Sequence, residues 1–259
     1  NGAPFASGSG ATVSFTPDDN GSYVITATAA DASATGSATA AVAVSNAAPS
    51  IAGVAGPTSP VALGSPATVV VTYADAGAAD THTAVFTWND GTTSTATCAN
   101  GSCTATRTYA ATGIYTVAVV VSDDDAATAA TSFSPVVVYN ATGGSLTTGG
   151  YLSTPAGNAT VTVNVRYAKN ATTPSGNARI ELAGATMVAS TYEWLVINGT
   201  TATLQGSGTI AGSGNYGFLV TAVDAATDTV AVRVWDKTTN SVVFESTTAP
   251  FTGSVQIHK

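Results

Sequence analysis

Tyr115, Val117, Val119 and Val121 stand at every second position of the run Gly113-Ile-Tyr-Thr-Val-Ala-Val-Val-Val-Ser-Asp123. Successive side chains of an extended chain point to opposite faces, so these four share one face of a strand, and that face needs a covering layer. Asp90-Gly91 and Asn100-Gly101 tolerate positive φ and mark tight reversals on the way there. The stretch from Trp88 to Val121 therefore predicts hairpins packed into a β-sandwich, with the large aromatic Trp88 between the sheets.

Charge is scarce. Of 259 residues only 8% are charged and 44% are apolar, against roughly 25% charged in an average globular protein. No apolar run approaches the ~18 residues of a spanning helix, and Val in period-two alternation argues against disorder. The net charge of -8 is carried by the first half: up to Tyr139 there are nine acids and one base, Arg107, while six acids and six bases follow. Nucleic-acid binding is excluded as a function, because no Lys/Arg cluster is present to neutralise phosphates.

Cys98 and Cys103, the only cysteines, bracket Ala-Asn-Gly-Ser. A disulfide across this hairpin tip is the favoured reading over zinc, since two thiolates without paired His fall short of a four-ligand site. Such a bridge implies an oxidising, extracytoplasmic location. The first twenty residues lack the basic start and apolar stretch of a leader, so a mature or excised chain is expected.

The central stretch has close kin inside the chain. Gly21-Ser-Tyr23-Val-Ile-Thr-Ala-Thr-Ala-Ala-Asp31 matches Gly113 to Asp123 at an offset of 92, which points to tandem modules. Residues 12 to 44 nevertheless suffice for only about three strands, with a core stripe of Val13, Phe15, Tyr23 and Ile25. An apolar face without an opposing sheet needs a partner. Either the missing strands lie upstream of Asn1, or a neighbouring chain completes the sandwich by strand addition and generates a fibre. Polymerisation is the preferred expectation. Asn46-Ala-Ala-Pro49 reads as a short linker, and Gly143, Gly144, Gly149 and Gly150 mark the next boundary. The expected domains are 1–46, 47–140 and 141–259.

The spacing W-x-D-G followed by Y-x-x-x-G-x-Y-x-V-x-x-x-V-x-D, from Trp88 to Asp123, resembles the PKD-type immunoglobulin-like domain of bacterial secreted and surface proteins over roughly residues 47 to 139. Asn89 and Ala126 depart from it, each standing in a turn where Gly is usual. Beyond Gly143, Tyr192-Glu193-Trp194-Leu-Val-Ile197, Arg233-Val-Trp235-Asp-Lys237 and Ile257-His-Lys259 resemble the post-COAP-type C-terminal domain of bacterial surface proteins. The resemblances imply an all-β fold of tandem immunoglobulin-like sandwiches with a C-terminal β-sandwich-like domain, at a secreted or cell-surface location.

Catalytic chemistry finds little support. Gly206-Ser-Gly208 with Gly212 and Gly214 lacks the following helix of a phosphate loop and reads as a glycine-rich hairpin. His82 and His258 sit in no nucleophile motif, and Glu181, Glu193 and Glu245 are read as a solvated face. Calcium is the one cofactor the residues invite: Asp75, Asp80, Asp90 and Asp123, Asp124 and Asp125 fall at strand ends, and hard cations are held by several oxygens on loops. The resemblance adds that PKD-type modules sometimes bind calcium near domain junctions. Asp18, Asp19 and Asp31 are weaker candidates, and the rival reading is that all these carboxylates only keep the chain soluble. The function expected is a non-catalytic structural protein of a surface filament, sheath or adhesin stalk, associating with itself or other surface proteins. The alternative is a polysaccharide- or protein-binding accessory module of a secreted hydrolase.

Overall fold

A computed structural model describes residues 4–259 apart from 141, 156, 170 and 183, and the described residues form strands, turns and extended segments with no helix. They gather into two compact units. The first comprises residues 4–55 with Val69–Ala105 and Val117–Phe133; the second comprises Gly56–Thr68, Thr106–Thr116 and Ser134–Lys259.

The chain opens on a hairpin of β1 (Gly21–Ala30) and β2 (Thr35–Val44), antiparallel and in register from Gly21↔Val44 to Ala30↔Thr35. The Asp31 carboxylate fixes its turn by accepting the amides of Ser33 and Ala34, each at 2.8 Å. Residues 12 to 16 contribute no strand, so two strands stand where about three were expected.

Next come β3 (Ser50–Ala55), β4 (Val61–Ala62), β5 (Pro66–Ala74), β6 (His82–Thr87), β7 (Thr93–Thr97), β8 (Ser102–Thr108), β9 (Gly113–Asp123) and β10 (Thr128–Tyr139). They form a three-stranded sheet in the order β3-β5-β8 and a five-stranded sheet in the order β4-β10-β9-β6-β7, the two-sheet plan of an immunoglobulin-like sandwich. The alternation read from the sequence sets the inside: Val69 and Val71 of β5, Ala84 and Phe86 of β6, and Val117, Val119 and Val121 of β9 are fully buried. Trp88 is fully buried too, stacked on Phe86 at 5.9 Å, with its indole N–H donated to Ser94 Oγ at 2.9 Å. Val85 and Thr87 take the outer face.

Both departures from the family pattern fall on left-handed backbone, at φ 58° for Asn89 and 69° for Ala126. Asn accepts that conformation through local hydrogen bonding, whereas Ala has only its Cβ clash. Asn100 and Gly101, at φ 52° and 71°, form the tight turn expected of them, and the Cys98–Cys103 disulfide closes behind it with Cα atoms 4.4 Å apart.

The C-terminal part runs up and down through β11 (Ser145–Thr154), β12 (Gly157–Arg166), β13 (Ser175–Leu182), β14 (Ala185–Asn198), β15 (Thr201–Ile210), β16 (Ser213–Val223), β17 (Thr229–Asp236) and β18 (Val242–Glu245), then β19 (Ala249–Pro250) and β20 (Thr252–His258), in one ten-stranded sheet. Its last segment pairs with strands near both ends of the meander. β19 pairs with β17 through Thr229↔Pro250 and Val230↔Ala249, and β20 pairs with β11 from Tyr151↔Thr252 to Ser145↔His258. The sheet thereby curls around a single core drawn from nearly every strand, including Leu146, Val163, Ile180, Leu204, Phe218 and Val232. The hydrogen-bonded path runs from β18 at one end to β20 at the other.

Glycine serves close approach here. A Cβ at Gly206 would strike the Thr191 carbonyl and the Phe218 ring, and one at Gly208 the Val188 carbonyl. The glycines thus sit within β15 and at the β15–β16 turn, as a glycine-rich hairpin. Also within this unit, Val137 of β10 packs with Trp194, Val196 and Leu219, and Tyr139 stacks on Tyr167 at 5.0 Å.

Candidate metal centre

Asp75 directly follows β5, Asp80 lies in the loop before β6, and Asp123 to Asp125 lie at the end of β9 and in the β9–β10 turn. Sheet pairing makes these loops neighbours, because His82 at the start of β6 lies opposite Asp123 at the end of β9. Two overlapping groups of carboxylate oxygens result. One joins Asp75, Asp80 and Asp123, the other Asp19, Asp80 and Asp125, and within each group the oxygens lie within 4.8 Å of one another.

Most members have donors. Asp75 accepts the Gly77 amide at 2.9 Å and pairs with His82 Nε2 at 3.0 Å. The Asn46 and Asn20 side-chain amides donate to Asp123 at 2.9 Å and to Asp125 at 2.6 Å, and the Thr81 amide donates to Asp124 at 2.8 Å. Asp80 is the exception: its Oδ2 is buried and has no hydrogen-bond partner. It lies against Gly77, where a Cβ would run into the carboxylate.

The electrostatics follow. Burial raises the Asp80 carboxyl above its ordinary value, and the charges of Asp19, Asp75 and Asp124 and a hydrogen bond with Asp19 add to the rise. Burial pushes Asp75 up as well, but the hydrogen bond from His82, the Gly77 amide, the His82 charge and the Ala76 amide outweigh it and hold that carboxyl below its usual range. Burial and the Asp75 charge raise Tyr73, whose ring lies against His82 with centroids 4.5 Å apart and planes tilted by 41°.

Hard oxygen donors on loops are what calcium takes, at 2.3–2.6 Å, so ligand oxygens around one ion stand up to about 5 Å apart. The spacing and the orphaned Asp80 oxygen fit that requirement. Asp19, Asp75, Asp80, Asp123 and Asp125 are the residues that would hold the ion. Thiolate or imidazole metals fit less well, since the site offers one His, already committed to Asp75.

The remaining candidates lie apart from these groups. Asp90 closes its own turn by accepting the Thr92 amide at 3.0 Å, and Asp31 caps the first hairpin. Val13 and Ile25 are 55% and 42% exposed, while Phe15 and Tyr23 are half-buried, with Phe5 completing a three-ring cluster at centroid distances of 5.4 to 6.0 Å. Glu181 and Glu245 make exposed pairs with Arg179 and Arg233. Glu193 departs from the solvated face expected of it. It sits at a β-bulge in β14 and is half-buried among Gln205, Ser207 and Lys237, whose Nζ is 2.9 Å away. Burial raises its carboxyl, and the bonds from Gln205 and Lys237 more than reverse the rise.

Asn20, Asn46 and His82 were not anticipated as parts of the centre, and Asp19 only weakly. No local signal marks Asn20 and Asn46, whose side chains bind Asp125 and Asp123 from 105 and 77 positions away.

The two sheets, the buried Trp88 and the disulfide define an extracellular-type immunoglobulin-like sandwich module. The family described as PKD domain matches residues 46–138. No curated protein matches the chain. Among the described residues no helix is long and apolar enough to cross a membrane.

Proposed function

We propose that this chain is a non-catalytic structural segment of an extracellular surface assembly, of the filament, sheath or adhesin-stalk kind. PKD-type modules are strung in tandem within it, the first represented by the β1–β2 hairpin, and the C-terminal sheet is its post-COAP-type terminal domain. Calcium held by the carboxylate cluster stiffens the passage from one module to the next.

A single observation carries the reading. Asp19, just ahead of the hairpin, closes on Asp80 and Asp125 of the following module's loops, where Asp80 Oδ2 is buried without a partner. Asn20 and Asn46, at either end of the hairpin segment, add hydrogen bonds to Asp125 and Asp123. A cation there ties the segment to the module from both ends.

Limited proteolysis in calcium and in chelator tests this. Calcium is expected to slow cleavage in the Ala30–Thr35 turn and the Asn46–Ser50 linker, with no change in the β15–β16 turn. Equal cleavage rates under the two conditions would remove the junction role.

A further inference from the structure

Two of the three tryptophans are inside the molecule: Trp88 is fully buried and Trp194 is 5% exposed. Trp235 is only half-buried. It stands on the outer face of the C-terminal sheet, because Val230, Val232 and Val234 of the same strand fill the core and side chains alternate. Register fixes its surroundings. Ser207 of β15, Gly217 of β16 and Trp235 of β17 form one row across three strands. Gly217 has no side chain to occupy the middle of that row, and the indole lies across it: a Cβ there would run into the ring edge at Nε1, Cε2 and Cζ2.

Polar groups gather around the ring. Arg233 and Lys237 stand two residues before and after it, and the Arg233 guanidinium carbon is 5.7 Å from the ring centroid. Lys237 reaches across β16 to donate to Ser207 Oγ and Glu193 Oε1, each at 2.9 Å, and Gln205 donates to Glu193 Oε2 at 2.5 Å. The charges are matched, Lys237 by Glu193 and Arg233 by Glu245 at 3.7 Å. The Trp235 indole N–H, by contrast, has no acceptor among the described residues and is open to solvent.

We propose that Trp235 and the polar groups around it form a binding subsite for a neutral polysaccharide. The ligand's chemistry follows from the mixture. A pyranose has an apolar face of C–H groups that packs on an indole, and a rim of hydroxyls that both donate and accept. The site offers one ring, a free indole donor, and carboxylate, amide, hydroxyl and ammonium groups held in place beside it. Matched charges favour a neutral sugar over a polyanion. A protein partner fits less well, because protein interfaces centre on a core depleted of charged residues, and here a single ring stands among charged side chains. The inference goes beyond the structural reading of the chain and does not depend on calcium.

The test titrates the 259-residue chain with cellohexaose, chitohexaose, mannohexaose, maltohexaose and oligogalacturonate at millimolar concentrations, followed by tryptophan fluorescence and by NMR of the amide and indole N–H groups. At least one neutral oligosaccharide should shift the emission saturably and move the Trp235 indole and the amides of Ser207 and Gly217, leaving those of Val71 and Val119 in place. Trp235→Leu keeps an apolar cover over Gly217 but removes the flat face and the N–H donor, and should weaken binding about tenfold or more. Should that variant unfold, oxidation of the wild-type indole by N-bromosuccinimide gives the second readout, and bound sugar should slow it. The proposal is overturned by silence from all four neutral sugars, by a response to oligogalacturonate alone, by equal affinity in Trp235→Leu, or by oxidation that bound sugar does not slow.

Discussion

Asp75 Oδ2 lies 3.0 Å from His82 Nε2, and the two side chains are 4% and 5% exposed, so one carboxylate of the central cluster has a buried hydrogen-bond partner while its neighbour Asp80 has an orphaned oxygen. The carboxyls of two acids within one group are therefore displaced in opposite directions from their ordinary value. The imbalance makes the cluster chemically distinct from a row of solubilising carboxylates, and it has consequences for stability.

In metal-free protein, ionised Asp80 opposes folding, because its folded pKa lies above the unfolded value. That penalty is complete above the folded pKa and fades as the pH falls toward about 4. Asp75 acts the other way: its stabilisation is present above about pH 4 and lost as the pH falls through its lowered folded value. Metal-free protein should thus gain stability on mild acidification and lose it below about pH 4. Asp80→Asn should remove the gain and stabilise the neutral metal-free protein by up to about 1 kcal/mol, after discounting for solvent screening. Denaturant midpoints across pH 4 to 8 in chelator check this. A flat profile with no effect of Asp80→Asn contradicts it.

Ala126 occupies φ 69° in the turn that presents Asp123 and Asp125. Left-handed backbone costs an L-residue roughly 1–2 kcal/mol, which Gly escapes at the expense of a more flexible unfolded chain. Ala126→Gly is expected to stabilise by about 0.5–1 kcal/mol net. A loss of stability in Ala126→Gly, measured by the same unfolding curves, would show that the Ala conformation is relaxed.

How much of this was legible follows the reach of each signal. The alternation of Val117, Val119 and Val121 and the position of Trp88 before its turn are local patterns, and the sandwich was readable from them. Asn100-Gly101 likewise announced its turn and brought Cys98 and Cys103 together. Asp19 and Asp80 are 61 positions apart, and nothing in either's neighbourhood encodes the other; their meeting depends on how the chain enters the module. Regular alternation along β14 places Glu193 on a solvated face, and a bulge between Tyr192 and Trp194 shifts that alternation by one residue. The missing third strand of the first module has the same origin, since a strand's pattern is written in its own residues but its ladder belongs to a partner.

Strand β20 ends the path of the C-terminal sheet beside β11, and side chains meet its other edge. Asp228 Oδ2 accepts the Val255 amide at 2.7 Å and Asp224 Oδ2 accepts the Ile257 amide at 3.2 Å, so two carboxylates beside the β16–β17 turn replace ladder bonds along β20. Val255 is buried, and an amide stripped of its acceptor there costs about 1–3 kcal/mol. Asp228→Ala should lower stability by that amount and accelerate exchange at Val255 and Ile257 more than at Val163 of β12. Uniform acceleration across the sheet would mean that Asp228 supports the fold in some other way.

The central claim is that the carboxylate cluster binds calcium and that binding stabilises the junction. Calorimetric unfolding of the 259-residue protein in chelator and in calcium, alongside Asp80→Asn, tests it most directly. The account predicts that calcium at 100 times its dissociation constant adds about 2.7 kcal/mol to the unfolding free energy of the wild-type protein and little to that of the variant. Melting indifferent to millimolar calcium, with wild type and variant responding alike, would contradict it.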